Sequence, residues 1–201
     1  MQQTSWYEYV AVFAGIASVW FSRKENILVY PVGLINTVIY IYISFKYHLL
    51  GEASVNFYYT VMSIYGWFLW TRTNNRHEHV WQIRFSNKRE WLQQLLFFAV
   101  CYGVIFFILQ EVKKGFAPGA IPWADALASA TAYTGMWLMA RKKVESWYWW
   151  IAASIVSIPL YFVKHFIFIS VNNGLVLIMA IAGLYGWEKR ATVKRKSSFN
   201  S

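Results

Sequence analysis

The sequence predicts an all-α membrane protein of seven transmembrane helices, arranged as two parallel three-helix repeats joined by a linker helix (3+1+3). Three observations predict it. Of 201 residues, 58% are hydrophobic, 20% aromatic and 14% charged, whereas soluble domains carry about 45–50% apolar and about 25% charged residues. Seven apolar windows follow one another; at roughly 20 residues per span they use about 140 positions and leave roughly 60 for loops and tails, too few for a separate soluble domain. Sequence anchors also recur in the first and last thirds of the chain at an offset of 120 residues.

The windows, in order, are bounded by charged or turn-forming residues. The first, 6–21, is short for a full span, carries Glu8 and ends before Arg23-Lys24-Glu25. The second, 27–45, holds Tyr30-Pro31 near its start and Asn36 near its middle, and the third, 52–70, ends on Tyr65-Gly66-Trp67 and nearby aromatics. A polar, basic stretch precedes the fourth window, 91–112. The fifth, 123–140, follows Pro122 and contains Asp125; the sixth, 147–163, is again short and contains Pro159; the seventh, 166–187, ends on Tyr185-Gly186-Trp187. This gives a first repeat over 1–75, a cytoplasmic loop plus linker helix over 76–122, a second repeat over 123–190 and a cytoplasmic tail over 191–201.

Charge orients the bundle. Alternate loops on one side, with the C-terminal tail, hold fifteen Lys and Arg residues; the other side holds only Lys46, Lys113, Lys114 and Lys164. Basic loops stay in the cytoplasm, so the N-terminus is expected outside and the C-terminus inside an inner (cytoplasmic) membrane. The net charge of +10 is then read as topology and lipid-headgroup contact rather than as a nucleic-acid surface. The first five residues lack the positive region of a cleavable signal, and the lone Cys101 excludes a disulfide within one chain.

Besides the Tyr-Gly-Trp anchor, the 120 offset carries Glu25 onto Glu145, each after a basic group. Three-helix units run parallel only if an odd number of spans joins them, which makes window four the linker. Such repeats with a substrate site between them near the midplane are a transporter architecture.

The runs Tyr30-Pro31-Val32-Gly33-Leu34-Ile35-Asn36, Asn56-Phe57-Tyr58-Tyr59 and Ser63-Ile64-Tyr65-Gly66-Trp67 resemble the first half of the PnuC nicotinamide riboside transporters. Asp125-Ala126-Leu127, Leu138-Met139-Ala140-Arg141-Lys142, Glu145-Ser146-Trp147 with Trp150, and Leu160-Tyr161 resemble the second half, so the likeness covers roughly residues 15–187. The resemblance implies a fold similar to the SWEET sugar transporters and facilitated diffusion of a vitamin-like nucleoside that a cytosolic kinase traps. Ser154 stands where the family commonly has Asn or Asp, Met136 and Asn56 where it often has Gln. These departures keep thiamine or another vitamin-like compound open as the cargo.

Helical spacing picks out candidate lining residues. Trp147, Trp150, Ser154 and Ser157 share one stripe of window six, offering two aromatic faces that suit a flat cation and two hydroxyls that suit a sugar. The alternative is that the tryptophans belong to an interfacial aromatic belt. Asn36 with Tyr40, and Asn56 with Tyr59 and Ser63, form polar stripes on windows two and three; such groups either bind substrate or bond across helices. Asp125 either stabilises the first turn of its helix through the dipole or attracts a cation from outside. Tyr65 and Tyr185 are gate candidates at an inner constriction, with belt anchoring as the alternative.

No phosphate-cradling loop is present, no carboxylate falls at mid-membrane depth, and His77 and His79 lack a helix-spaced third ligand. Catalysis, a cofactor and a metal site are therefore not expected. The partners expected are a small-molecule substrate and membrane lipids, with a homo-oligomer open. A membrane scaffold or assembly subunit is the rival from another class, though a scaffold does not need polar stripes.

Overall fold

The computed structural model describes residues 6–46, 50–72, 81–113, 121–165 and 167–197. The His77 and His79 pair, Arg76 and Lys114 lie outside the described residues. Among the described residues are seven helices: α1 (Trp6–Arg23), α2 (Val29–Lys46), α3 (Leu50–Thr71), α4 (Lys88–Lys113), α5 (Pro122–Ala140), α6 (Ser146–Val163) and α7 (Ile167–Ser197). The chain divides into two units, Met1–Gln82 and Ile83–Ser201. In the first, α2 packs against both α1 and α3; in the second, α4 packs on α5, and α6 packs against α5 and α7.

Two helices differ clearly from the predicted windows. Helix α4 begins three residues early because Asn87 and Glu90 form a reciprocal cap: Asn87 Oδ1 accepts the Glu90 N–H at 2.8 Å and Glu90 Oε2 accepts the Asn87 N–H at 2.9 Å. Two otherwise orphaned donors of the first turn are thereby satisfied. Helix α7 runs on through residues 191–197, the segment predicted as tail. Glu188, Lys189, Arg190 and Ala191 are good helix formers, and Ala191 is buried.

Helices α1 and α5 end in the same turn. After α1, the Glu25 N–H donates to Ser22 O and the Asn26 N–H to Phe21 O, with Glu25 at φ 59°. After α5, the Lys142 N–H donates to Met139 O and the Lys143 N–H to Leu138 O, with Lys142 at φ 52°. Both are Schellman closures, whose left-handed residue usually is glycine. Glu25 therefore corresponds to Lys142, an offset of 117, and the 120 register read from the tripeptides is corrected by three residues. The slip escaped sequence reading because three residues are nearly one helical turn, so either register keeps similar faces aligned.

Helices α2, α4, α6 and residues 169–193 of α7 are each long and apolar enough to cross a bilayer. Helix α5 is built on small residues, with Ala124, Ala126, Ala130, Thr131, Thr134 and Gly135 all buried. A helix enclosed by its neighbours presents little surface to lipid, so it needs less apolar side chain than an exposed span. Pro31 falls in the first turn of α2, where a missing N–H is tolerated; Pro159 lies inside α6.

Candidate substrate site

In the second unit, Trp147 is buried at the start of α6 with its indole seated on Gly183 of α7. A Cβ at Gly183 would stand 2.6–2.7 Å from that ring. Trp187, one turn further along α7, meets it edge to face at 5.5 Å. Three residues after Trp147, the Trp150 indole rests on Gly135 of α5, where a Cβ would lie 3.3 Å from its Cδ1 and Nε1. Ser154 and Ser157 are buried further along α6, so the predicted stripe is one face of one helix, beginning in indole and ending in hydroxyl.

The first unit repeats the frame with other residues. Tyr30 is buried at the start of α2 against Gly66 of α3 and meets Trp70 edge to face at 5.1 Å. Tyr30, Gly66 and Trp70 map onto Trp147, Gly183 and Trp187 at the 117 offset. Both inward polar atoms, Tyr30 Oη and Trp147 Nε1, are buried without a hydrogen-bond partner.

The predicted polar residues of the first unit are knitted into it. Asn36 Nδ2 donates to Ala11 O at 2.7 Å and packs over Gly15, which ties α2 to α1. The Thr60 hydroxyl contacts both the Thr37 hydroxyl and the Asn56 carbonyl at 2.9 Å. Ser63 is buried, with its Oγ near the space above Gly33 that Ser18 Oγ also borders. Asn56 is buried, and Tyr40 and Tyr59 are half-buried. Of the gate candidates, Tyr185 is 76% exposed and Tyr65 37% exposed. The aromatic rings enclosed at those helix ends are those of Trp70 and Trp187, beyond the predicted tripeptide and at its last residue.

Asp125 accepts the Ile121 N–H at 2.7 Å and pairs with Lys164. The carboxylate thus caps the start of α5 and links it to the end of α6.

Sequence reading missed a polar cluster at the other end of α5 and α6. Gln94 of α4 is fully buried, its Nε2 donating to Ser86 Oγ at 2.7 Å and its Oε1 accepting from Trp149 Nε1 at 3.2 Å. Buried Glu145 accepts both the Ser86 N–H at 2.7 Å and the Ser86 O–H at 2.9 Å. Glu90 Oε1 receives Lys143 Nζ at 2.7 Å and Arg84 Nη2 at 2.9 Å. The backbone joins in: the Arg84 N–H donates to Lys142 O and the Val144 N–H to Arg84 O. Burial pushes the Lys143 ammonium below its ordinary lysine value, opposed by its bond to Glu90. A capping pair, Asn87 with Glu90, and an amide inside an apolar run, Gln94, were the available signals.

The family described as nicotinamide mononucleotide transporter matches residues 5–189. The chain belongs to that family. It is similar to the nicotinamide riboside transporter PnuC of Escherichia coli (strain K12), at 26% identity over 91% of this chain and 85% of that protein. The PnuC of Neisseria mucosa is 28% identical over 96% of this chain and 75% of that protein. A riboflavin/roseoflavin transporter, RibM of Streptomyces davaonensis, is 22% identical over 94% and 88% respectively. The crystal structure of the vitamin B3 transporter PnuC superposes with a TM-score of 0.76 at 25% identity, covering 94% of this chain and 83% of that one. This family member is an integral, multi-pass membrane transporter.

Proposed function

We propose that this protein carries nicotinamide riboside across the inner membrane by facilitated diffusion, with phosphorylation in the cytosol trapping the cargo. The observation that carries this reading is the stripe on α6, where the Trp150 ring sits on Gly135 and is followed by buried Ser154 and Ser157. A nicotinamide ring bearing a positive charge gains about 0.5–2 kcal/mol from an aromatic face, depending on desolvation. The hydroxyls of its ribose match hydroxyl partners. Trp147 extends this proposed lining on α6; within the first unit Tyr40, Asn56, Tyr59 and Ser63 are the proposed polar contacts, Asn36 being engaged with Ala11, and Asp125 is held by Lys164.

The topology proposed with it is seven spans in a 3+1+3 order, N-terminus outside. The basic-loop count and the 117-residue recurrence of turn and packing pairs support it. Passive flux fits a chain without a nucleotide motif or an acid at mid-membrane depth. A related vitamin is the second reading, favoured by Ser154 in place of the commoner amide and by the likeness to a riboflavin transporter.

Uptake of labelled nicotinamide riboside into proteoliposomes, with thiamine and riboflavin in parallel, tests both readings. Saturable uptake that equilibrates without ATP or a pH step supports the first. Uptake of riboflavin or thiamine alone would install the second, and accumulation above the outside concentration on an imposed pH step would refute passive flux.

A further inference from the structure

The first turn of α6 is bonded to α4. A buried amide is costly unless both its ends are bonded, and Gln94 satisfies both: its N–H₂ reaches Ser86 and its carbonyl reaches the Trp149 indole N–H. Ser86 in turn donates twice to Glu145, the residue that immediately precedes α6. That carboxylate makes no cap bond to α6 itself. The first turn of α6 is thus fastened at its beginning through Glu145 and four residues later through Trp149, both to the segment that opens α4. Phe98 closes on the same Trp149 ring at 5.0 Å. Successive helical residues differ by about 100°, so a fixed Trp149 ring sets the roll of this turn and with it where the adjacent Trp150 lies over Gly135. Trp149 Cβ also borders Gly135, 3.4 Å from where a Cβ there would stand.

We propose that Gln94, acting through Trp149, is a positioning residue for the α6 aromatic seat, so that α4 sets substrate affinity as well as connecting the repeats. This rests on the reading of Trp150 as the ring seat.

The test is calorimetric titration of the purified full-length protein in detergent with nicotinamide riboside. It compares wild type with Gln94→Leu, Trp149→Phe, the double variant and Trp150→Ala. Removing the one bond between Trp149 and Gln94 should weaken affinity about 2–10-fold in Trp149→Phe, and at least as much in Gln94→Leu, which also loses the bond to Ser86. The double variant should be no weaker than the weaker single, because both substitutions break one linkage. The ¹⁵N indole resonance of Trp149 should shift in Gln94→Leu, a readout that general destabilisation would not reproduce.

Losses that add in the double variant, or wild-type affinity in folded Gln94→Leu or Trp149→Phe while Trp150→Ala weakens binding, would overturn the positioning role alone. Wild-type affinity in Trp150→Ala would instead overturn the ring seat and the proposal built on it. If Gln94→Leu does not fold, Trp149→Phe decides the matter by itself, since it keeps the ring and removes only the donor.

Discussion

The α1–α2 contact of the first unit and the α5–α6 contact of the second share a backbone frame and carry opposite fillings. In the first, Ser18 faces Gly33; at the corresponding places in the second, Gly135 faces Trp150. The large side chain has moved to the other helix and grown from a hydroxymethyl to an indole. Asn36, three residues beyond Gly33, bonds across to Ala11, whereas its counterpart Ala153 is a small buried residue. Where the first unit closes its helix pair with an amide bond, the second leaves an aromatic ring on a glycine shelf. Duplicated frames can therefore be filled unequally, one with a cross-helix amide bond and the other with an indole packed on glycine.

Breaking what the units share should have the largest effect. Gly66→Ala and Gly183→Ala each place a methyl into a buried ring, Tyr30 in one unit and Trp147 in the other. Overpacking of this kind costs about 1–3 kcal/mol, and here the obstacle is a rigid, enclosed aromatic. Thermal unfolding in detergent should show both variants clearly destabilised, whereas Gly174→Ala, with open space around it, should be neutral or mildly stabilising. Equal behaviour of all three would dissolve the correspondence.

What differs between the units is sharpened by ligand binding. Trp150→Ala should lose about 0.5–2 kcal/mol of stacking, or about 2- to 30-fold in affinity for nicotinamide riboside. Gly135→Ala should act in the same direction by displacing the indole. Retained affinity in both would place the ring elsewhere.

How much of this the residues announced depends on scale. Seven helices and their order were legible because bilayer solvent forces long apolar runs between polar breaks. The α6 stripe was legible too, since 147, 150, 154 and 157 fall on one face whatever the tertiary packing. The repeat register was not: Tyr65-Gly66-Trp67 and Tyr185-Gly186-Trp187 look alike, yet the glycines that bear rings are Gly66 and Gly183. A tripeptide reports composition, while register is decided by which glycine meets which ring. Asn36 was read as substrate-facing or interhelical from its depth alone, and only the position of the Ala11 carbonyl identifies a partner. Glu145 and Gln94 meet through Ser86, joined by contacts up to 59 residues apart, and no local pattern encodes such a meeting.

Asn36→Ala tests the fastening side of the comparison. Losing the bond to Ala11 should lower stability by about 0.5–1.5 kcal/mol; unaltered melting would mean that the α1–α2 contact does not depend on it.

The smallest effect belongs to the turns themselves. The left-handed residue is Glu25 after α1 and Lys142 after α5, but only the second turn is followed by a buried lysine, Lys143, paired with Glu90. Burial, aided by the nearby Arg84 charge, holds the Lys143 ammonium below its ordinary value of 10.5 against the opposing Glu90 bond. Between that lowered value and 10.5 the unfolded chain binds the proton more readily than the folded one. Stability contributed by this group therefore rises with pH across that alkaline window. Lys143→Met removes the titrating group, so melting temperature measured against pH should lose this upward component relative to wild type. Parallel curves for the two proteins would mean that Lys143 keeps its ordinary affinity for the proton, and that the second turn is no more desolvated than the first.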